Sequence, residues 1–357
     1  MNPRALSAAV LAVAALLAAL LVSAPGGTTP AAAPTAPDGF RVSDSGRLVE
    51  SDDSDFVMRG VNLAHAWYPG RTGASMADVK SLGANTVRVV LGTGDRWTRS
   101  DAADVAAVVE RCRANRLICV LDVHDTTGYG EESGAVPLSR AVDYWIGVRS
   151  ALTGQERYVI INVANEPYGR TGASGWTADT KAAVQKLRAA GFTHTLMVDA
   201  PDWGQDWTFT MRDNAASVLA ADPERNTVFS VHMYGVFDTA AEVRAYLSHF
   251  VAARLPVVVG EFGHEHTDGD PDEEAVLATA EDLGVGYLGW SWSGNTDGVE
   301  YLDMAAGFDP AALTTWGRRI FHGANGIAAT AKEASVYADT GAGAADRPPP
   351  AASRPLP

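Results

Sequence analysis

Short apolar runs rich in Val, Ile and Leu recur along the chain, separated by longer segments of helical period. The runs are "FVMRGVN" (56–62), "NTVRVVL" (85–91), "LICVLDVH" (117–124) and "YVIINVAN" (158–165), then "HTLMVDA" (194–200), "TVFSVHMY" (227–234), "PVVVGEFG" (256–263) and "VGYLGWSW" (285–292). Each is short for a helix and reads as a strand buried on both faces. Between them, "SDAADVAAVVERCRAN" and "TADTKAAVQKLRAAG" repeat apolar residues at helical spacing, and Gly191 predicts a C-terminal cap for the second. About eight rounds of strand and helix predict an α/β fold, a single (β/α)8 TIM barrel spanning residues 38–335. The alternative, a doubly wound open sheet, would carry a Gly-rich phosphate loop after a strand, and none follows these runs.

Polar residues gather at the C-terminal ends of the runs: Asn62 and His65, Arg88, His124 and Asp125, Asn165 and Glu166, His232 and Tyr234, Glu261, Trp290 and Trp292. Singly, each has a plain reading, such as an ion pair for Arg88, a satisfied core histidine for His124 or core packing for Trp290. Agreement across the whole series is harder to explain that way, because this end of a barrel is where active sites sit. Glu166 and Glu261 close the fourth and seventh runs, so they are predicted to face each other across the mouth. Two opposed carboxyl groups are what glycoside hydrolysis needs: one protonated to assist the leaving oxygen, one ionised to attack. Metal sites and ion pairs use paired carboxylates too. His264, Glu265 and His266 offer a transition-metal cluster, but their spacing fits no closed zinc pattern, and a polar loop is the better reading. No metal and no organic cofactor is expected for the chemistry. The acidic run Asp268, Asp270, Asp272, Glu273 and Glu274 offers oxygen ligands for a structural Ca2+, against a solvated helix start with acids on its dipole, which the order of residues favours.

The remaining composition narrows the substrate. With 28 Lys plus Arg against 43 Asp plus Glu, the net charge is −15, which repels nucleic acid and anionic membranes and favours a neutral ligand. Nine Trp are present, of which Trp67, Trp97, Trp203, Trp207, Trp290 and Trp292 fall near the predicted mouth, where flat rings suit the C–H faces of pyranoses. Trp145 and Trp316 lie in helical segments and are expected in the core. Arg4 followed by the apolar run Leu6–Val22 has the plan of a secretory signal peptide, residues 1–24 with a second small-residue site as far as 33, and predicts a secreted, extracellular protein. Residues 25–37 and 336–357 are rich in Pro and Ala and are expected to be disordered. In an oxidising compartment, a helix, a turn and a strand would bring Cys112 and Cys119 into range of a disulfide, the expected state, against the alternative of two buried thiols. No motif calls for more than a monomer.

Taken together, Arg88, His124, "NEP" (165–167), "HMY" (232–234), "GEFG" (260–263) and Trp290 resemble glycoside hydrolase family 5, over Phe40 to about Ala331. The stretches "RGVNLAHAWY", "GANTVRVVL", "VLDVHDTTGYG", "FSVHMYG", "GEFGHEHTDGDPDE" and "GWSWSGN" are similar to the bacterial β-mannanases of that family. The resemblance implies a retaining endo-β-1,4-mannanase with Glu166 as acid/base and Glu261 as nucleophile. It further implies that Arg88 and Tyr234 orient Glu261, and that Asn165 meets the sugar 2-hydroxyl. His124 and His232 would line the cleaved subsite and Trp290 its floor. Trp67 and Tyr68 are expected along the non-reducing side and Trp203 in a subsite wall, with His65 and Trp292 as further substrate-binding candidates. One departure is Asp122, where these mannanases often carry Glu outside the catalytic set. The rivals are a β-1,4-glucanase of the same family and a non-catalytic glycan-binding barrel.

Overall fold

The computed structural model describes residues 38–342. The expected signal peptide, the segment 25–37 and the end of the tail lie outside them. Two short strands, β1 (Arg41–Val42) and β2 (Leu48–Val49), pair as an antiparallel hairpin before the barrel begins. Eight parallel strands then close on themselves: β3 (Arg59–Leu63), β4 (Thr86–Leu91), β5 (Ile118–Val123), β6 (Val159–Asn162), β7 (Leu196–Asp199), β8 (Thr227–Met233), β9 (Val257–Phe262) and β10 (Gly286–Gly289), with β10 against β3. All eight predicted runs are strands, each trimmed at one or both ends. The main helices are α1 (Thr72–Ser81), α2 (Ala102–Ala114), α3 (Leu138–Val148), α4 (Trp176–Ala189), α5 (Thr210–Ala221), α6 (Ala240–Ala252), α7 (Glu273–Leu283) and α8 (Thr315–His322).

Local sequence explains where helices start and stop. Asp101, Thr239 and Asp272 sit at the N-caps of α2, α6 and α7 and accept from backbone N–H groups of the first turn. Asp272 belongs to the acidic run, so part of that run is spent on a helix start. Gly191 adopts φ 85° two residues past the end of α4, just beyond the C-cap Ala190, as its position predicted.

The strands send side chains alternately to two cores. Outward residues such as Val87, Leu121, Ile161 and Val231 pack against the helices, together with Trp145 and Trp316. Inward residues at the N-terminal end, Ile118, Val120, Ile160, Met197, Val228, Val258 and Leu288, form a second cluster closed from below by Phe40, Phe56, Val336 and Tyr337. That closure corrects the expected start of the tail. Ser335–Ala342 continues as a 3-10 segment, Val336 and Tyr337 are buried, and the Tyr337 hydroxyl donates to the Leu117 carbonyl at 2.9 Å. Two apolar side chains have a barrel floor to cover, which a disordered tail would leave wet.

The expected disulfide is also corrected. Cys112 on α2 and Cys119 on β5 are free thiols, both fully buried. Burial raises the Cys112 thiol well above its ordinary value, helped by the Cys119 thiol beside it. Cys112 Sγ lies 4.0 Å from Met76 Sδ. The pair packs as small apolar side chains, and desolvation holds back the thiolate that oxidation requires.

Among the described residues, no helix is long and apolar enough to cross a membrane.

Candidate active site

At the C-terminal end the inward positions turn polar. Val120 is followed two residues later by Asp122, Ile160 by Asn162, Met197 by Asp199, and Val228 by Ser230 and then His232, all buried. Glu261 joins them through an irregularity in the ladder. Val231 pairs with Val259, but His232 pairs with Glu261, so two residues of β9 oppose one of β8. The extra residue is Gly260, where a Cβ would sit 2.1 Å from Ser230 Oγ, so only glycine fits. The bulge turns Glu261 into the mouth.

Arg88 stands at the centre, fully buried. Its Nη1 donates to Glu261 Oε1 at 2.7 Å and to Asn62 Oδ1 at 2.8 Å. Nε donates to Asn162 Oδ1 at 2.7 Å and Nη2 to Asn165 Oδ1 at 2.6 Å. Asp122 Oδ1 and Asp199 Oδ2 lie 3.1 and 3.3 Å from Nη2. Burial would lower the guanidinium's pKa, but Asp122, Glu261 and Asp199 outweigh it and raise the value. The Tyr234 hydroxyl donates to Glu261 Oε2 at 3.0 Å. Burial, helped by the neighbouring Glu166, holds Glu261 above the usual carboxylate range, and His232 and Arg88 offset only part of that rise.

Glu166 follows β6 in the left-handed region, φ 38°, a conformation costing about 1 kcal/mol or more for a residue with a Cβ. Its place is fixed by backbone bonds: its N–H donates to Asp199 Oδ2 at 3.3 Å and its carbonyl accepts from Gly128 at 3.0 Å. His232 Nδ1 lies 2.7 Å from Glu166 Oε1. Ligand atoms of Glu166, His232 and Glu261 all fall within 4.8 Å of one another, which brings the two carboxyl groups face to face as predicted. The same spacing could suit a metal ion, but the Arg88 guanidinium already supplies a cation against Glu261 and the imidazole Nδ1 is engaged by Glu166.

His124 opens the turn after β5. Its Nδ1 lies 2.7 Å from Asp122 Oδ2, so Nδ1 carries the proton, and Nε2 points to Asn165 Nδ2 at 3.4 Å. Trp290 stacks on the His124 ring, centroids 5.4 Å apart at 18°, and Trp67 meets the same ring edge-on at 5.4 Å. Trp290 Nε1 donates to Asn295 Oδ1 at 2.9 Å. Tyr68 packs on Phe308 nearby. These half-buried rings form one wall. Trp203 lies on the other side, its N–H donating to the Tyr168 carbonyl two residues past Glu166 and its Nε1 to Glu131 Oε2 at 3.0 Å.

Two predicted site residues are elsewhere. His65 is buried between Thr72 Oγ1 at 2.7 Å and Asp104 Oδ2 at 2.9 Å, so both ring nitrogens are consumed in tying the loop after β3 to α1 and α2. Trp292 is 1% exposed and packs on Phe321 in the outer core, out of reach of a ligand. The residues that sequence reasoning missed are Asp122, Asn162 and Asp199, which surround Arg88. Their signal was the two-residue period: each follows an inward apolar residue by two.

A parallel eight-stranded barrel with a buried arginine and tyrosine on one of two facing carboxyl groups defines a glycoside hydrolase. A family profile described as cellulase (glycosyl hydrolase family 5) matches residues 49–296. The chain belongs to glycosyl hydrolase family 5. It is 61% identical over 322 residues to a mannan endo-1,4-beta-mannosidase of Streptomyces lividans, covering 90% of this chain and 83% of that one. A β-mannanase of Thermomonospora fusca solved with mannotriose is 57% identical, with TM-score 0.81 over 84% of this chain and 99% of that one. A β-mannanase of Streptomyces thermolilacinus solved with mannohexaose is 61% identical, with TM-score 0.82 over 84% and 98%.

Proposed function

We propose that the protein hydrolyses internal β-1,4-mannosidic bonds of mannan by double displacement with retention at the anomeric carbon. The observation that carries the reaction is the unequal company of the two facing carboxyl groups. Glu261 receives Arg88 and Tyr234, the donors an anionic nucleophile needs, while Glu166 receives neither and stands on the Trp203 side. Their close approach, within 4.8 Å, supports retention, since inverting pairs stand about 6.5–9.5 Å apart to admit a water. The substrate follows from the relatives above, which are mannanases, and from the half-buried aromatic wall of Trp67 and Trp290.

In the first step a Glu261 oxygen bonds to the anomeric carbon while the glycosidic C–O bond breaks and Glu166 gives its proton to the leaving oxygen. Glu166, now ionised, removes a proton from water in the second step; the water oxygen bonds to the anomeric carbon and Glu261 leaves with its electron pair. Asn165, fixed by Arg88 Nη2 and by Thr127 Oγ1 at 2.8 Å, is the residue we assign to the 2-hydroxyl, which would compete with the long 3.4 Å contact from Asn165 Nδ2 to His124. Trp290 supplies the floor beneath that sugar. The apolar run Leu6–Val22 supports export before the enzyme meets its polymer.

Reducing-sugar release from linear β-1,4-mannan and carboxymethylcellulose, measured side by side, tests this reading. Wild-type release is expected from mannan, with Glu261→Ala at least about 10^4-fold slower. Release mainly from the cellulose derivative would keep the mechanism and change the substrate. Inverted product from either would end the double-displacement scheme.

A further inference from the structure

Asp199 is a fully buried carboxylate that no step above uses. Its Oδ2 lies 3.2 Å from His232 Nε2, 3.3 Å from Arg88 Nη2 and 3.3 Å from the Glu166 backbone nitrogen, and its Oδ1 accepts from Asn162 Nδ2 at 2.9 Å. His232 is equally buried, with Nδ1 2.7 Å from Glu166 Oε1 and 3.5 Å from Glu261 Oε2. Both nitrogens of one enclosed imidazole therefore lie within ion-pair distance of carboxylate oxygens, Nδ1 in a hydrogen bond to Glu166 and Nε2 beside Asp199 with no hydrogen-bond partner of its own. A neutral imidazole has one N–H, so its other nitrogen would set a lone pair against an oxygen lone pair where no water can intervene. When Glu166 carries its proton on Oε2, ready for the leaving group, or is ionised in the covalent intermediate, its Oε1 is an acceptor, and only the imidazolium then presents an N–H to both sides.

We propose that Asp199 is a positioning residue that keeps His232 doubly protonated throughout the reaction, so that a fixed positive charge stands between the acid/base and the nucleophile. This rests on the roles assigned above to Glu166 and Glu261. In those roles the negative charge sits on Glu261 before attack, moves to Glu166 in the covalent intermediate and returns in the second step. A cation within reach of both carboxyl groups favours the charge wherever it is and needs no reorganisation as it moves. Of the three carboxyl groups around His232, Glu166 and Glu261 change charge in each turnover. Asp199 does not, which makes it the constant counter-ion.

The other charged or titratable groups facing this cluster are the Arg88 cation, shared by Glu261, Asp199 and Asp122, and the His124 imidazole, paired with Asp122. Tyr234 faces it as a neutral donor to Glu261. Burial alone would lower the His232 imidazole; Glu261 and Asp199 override it and hold the value up at about 10. Asp199, despite burial, is drawn down to about 2 by His232 and Arg88.

The test is the near-isosteric Asp199→Asn in the full chain, read in two ways. Ring-nitrogen NMR of His232 should show an imidazolium through pH 8 in the wild type and a titration at least one unit lower in Asp199→Asn. Turnover of mannohexaose should fall in step with that titration, so the deficit against wild type grows about tenfold for each pH unit above the new midpoint. KM should move little. A wild-type His232 that is neutral at pH 7 overturns the proposal, even if Asp199→Asn does not fold. So does a folded variant whose kcat is reduced by one factor at every pH, the mark of a merely structural role. If the wild type releases no sugar, the functional reading fails, while the His232 titration still decides the state of the imidazole.

Discussion

The lower and upper halves of the barrel interior are built by the same strands at the same two-residue period, yet they do opposite work. Below, Ile118, Val120, Ile160, Met197, Val228, Val258 and Leu288 form a plug sealed by the N-terminal hairpin and by Val336 and Tyr337. Above, one or two periods later and, for Glu261, across a bulge, Arg88, Asp122, Asp199, His232 and Glu261 gather charges that are almost wholly enclosed. Burying an apolar side chain contributes about 1.5–3 kcal/mol to folding. Burying charges costs several kcal/mol each, which their partners offset only when every contact is made. The comparison teaches that the plug stabilises the frame on which the charged layer is held, and that the changeover needs no extra element, only a change of residue at the next inward position.

The division predicts two contrasting kinds of damage. Arg88→Ala should be the more severe. It leaves Asp122, Asp199 and Glu261 facing one another without their shared cation, so we expect a loss of about 3–5 kcal/mol in unfolding free energy and at least a 100-fold drop in kcat, as Glu261 and Asn165 lose their donor. Denaturant unfolding and steady-state kinetics on mannohexaose measure both; activity within tenfold of wild type would show that Glu261 is held by other means. Ile160→Ala removes a plug side chain on β6, the strand that leads to Glu166. About 2–5 kcal/mol of stability should go, with kcat and KM unchanged below the melting transition. A kcat loss on the scale of Arg88→Ala would mean that the plug and the charged layer are not separable.

The same two-residue alternation sets how much could be read from sequence. Eight apolar runs with helical intervals were enough for the barrel, and the clustering of Glu166, Glu261, Arg88, His124, His232 and Tyr234 at one end was enough for the pair of facing carboxyl groups. Asp199 and Asp122 were harder to see. Each sits inside an apolar run and only the phase of the inward face marks it. Glu261 shows the limit of that rule: counting by twos from Val258 puts Gly260 inward and Glu261 outward, and only the bulge reverses it. Trp292 and His65 failed for the opposite reason. Both lie past strand ends, where the chain leaves the ladder and neither period predicts which way a side chain turns. Cys112 and Cys119 are neighbours, as their spacing suggested, but proximity does not fix redox state.

His65 allows the finest test, because the expected effect is small and the two readings differ in kind. In the structure its ring joins Thr72 on α1 to Asp104 on α2, outside the charged layer and the plug alike. Asp104 is 35% exposed on its side chain, so the contact is worth what a solvent-screened pair is worth. Asp104→Ala should therefore cost less than about 1 kcal/mol and leave kcat and KM as they were. If His65 instead lined the cleft beside Trp67, freeing its ring would loosen the wall and raise KM for mannohexaose while kcat for short substrates stayed constant. Thermal melting together with KM against oligosaccharide length separates the two, since a loop tie changes only the first and a sugar contact changes the second.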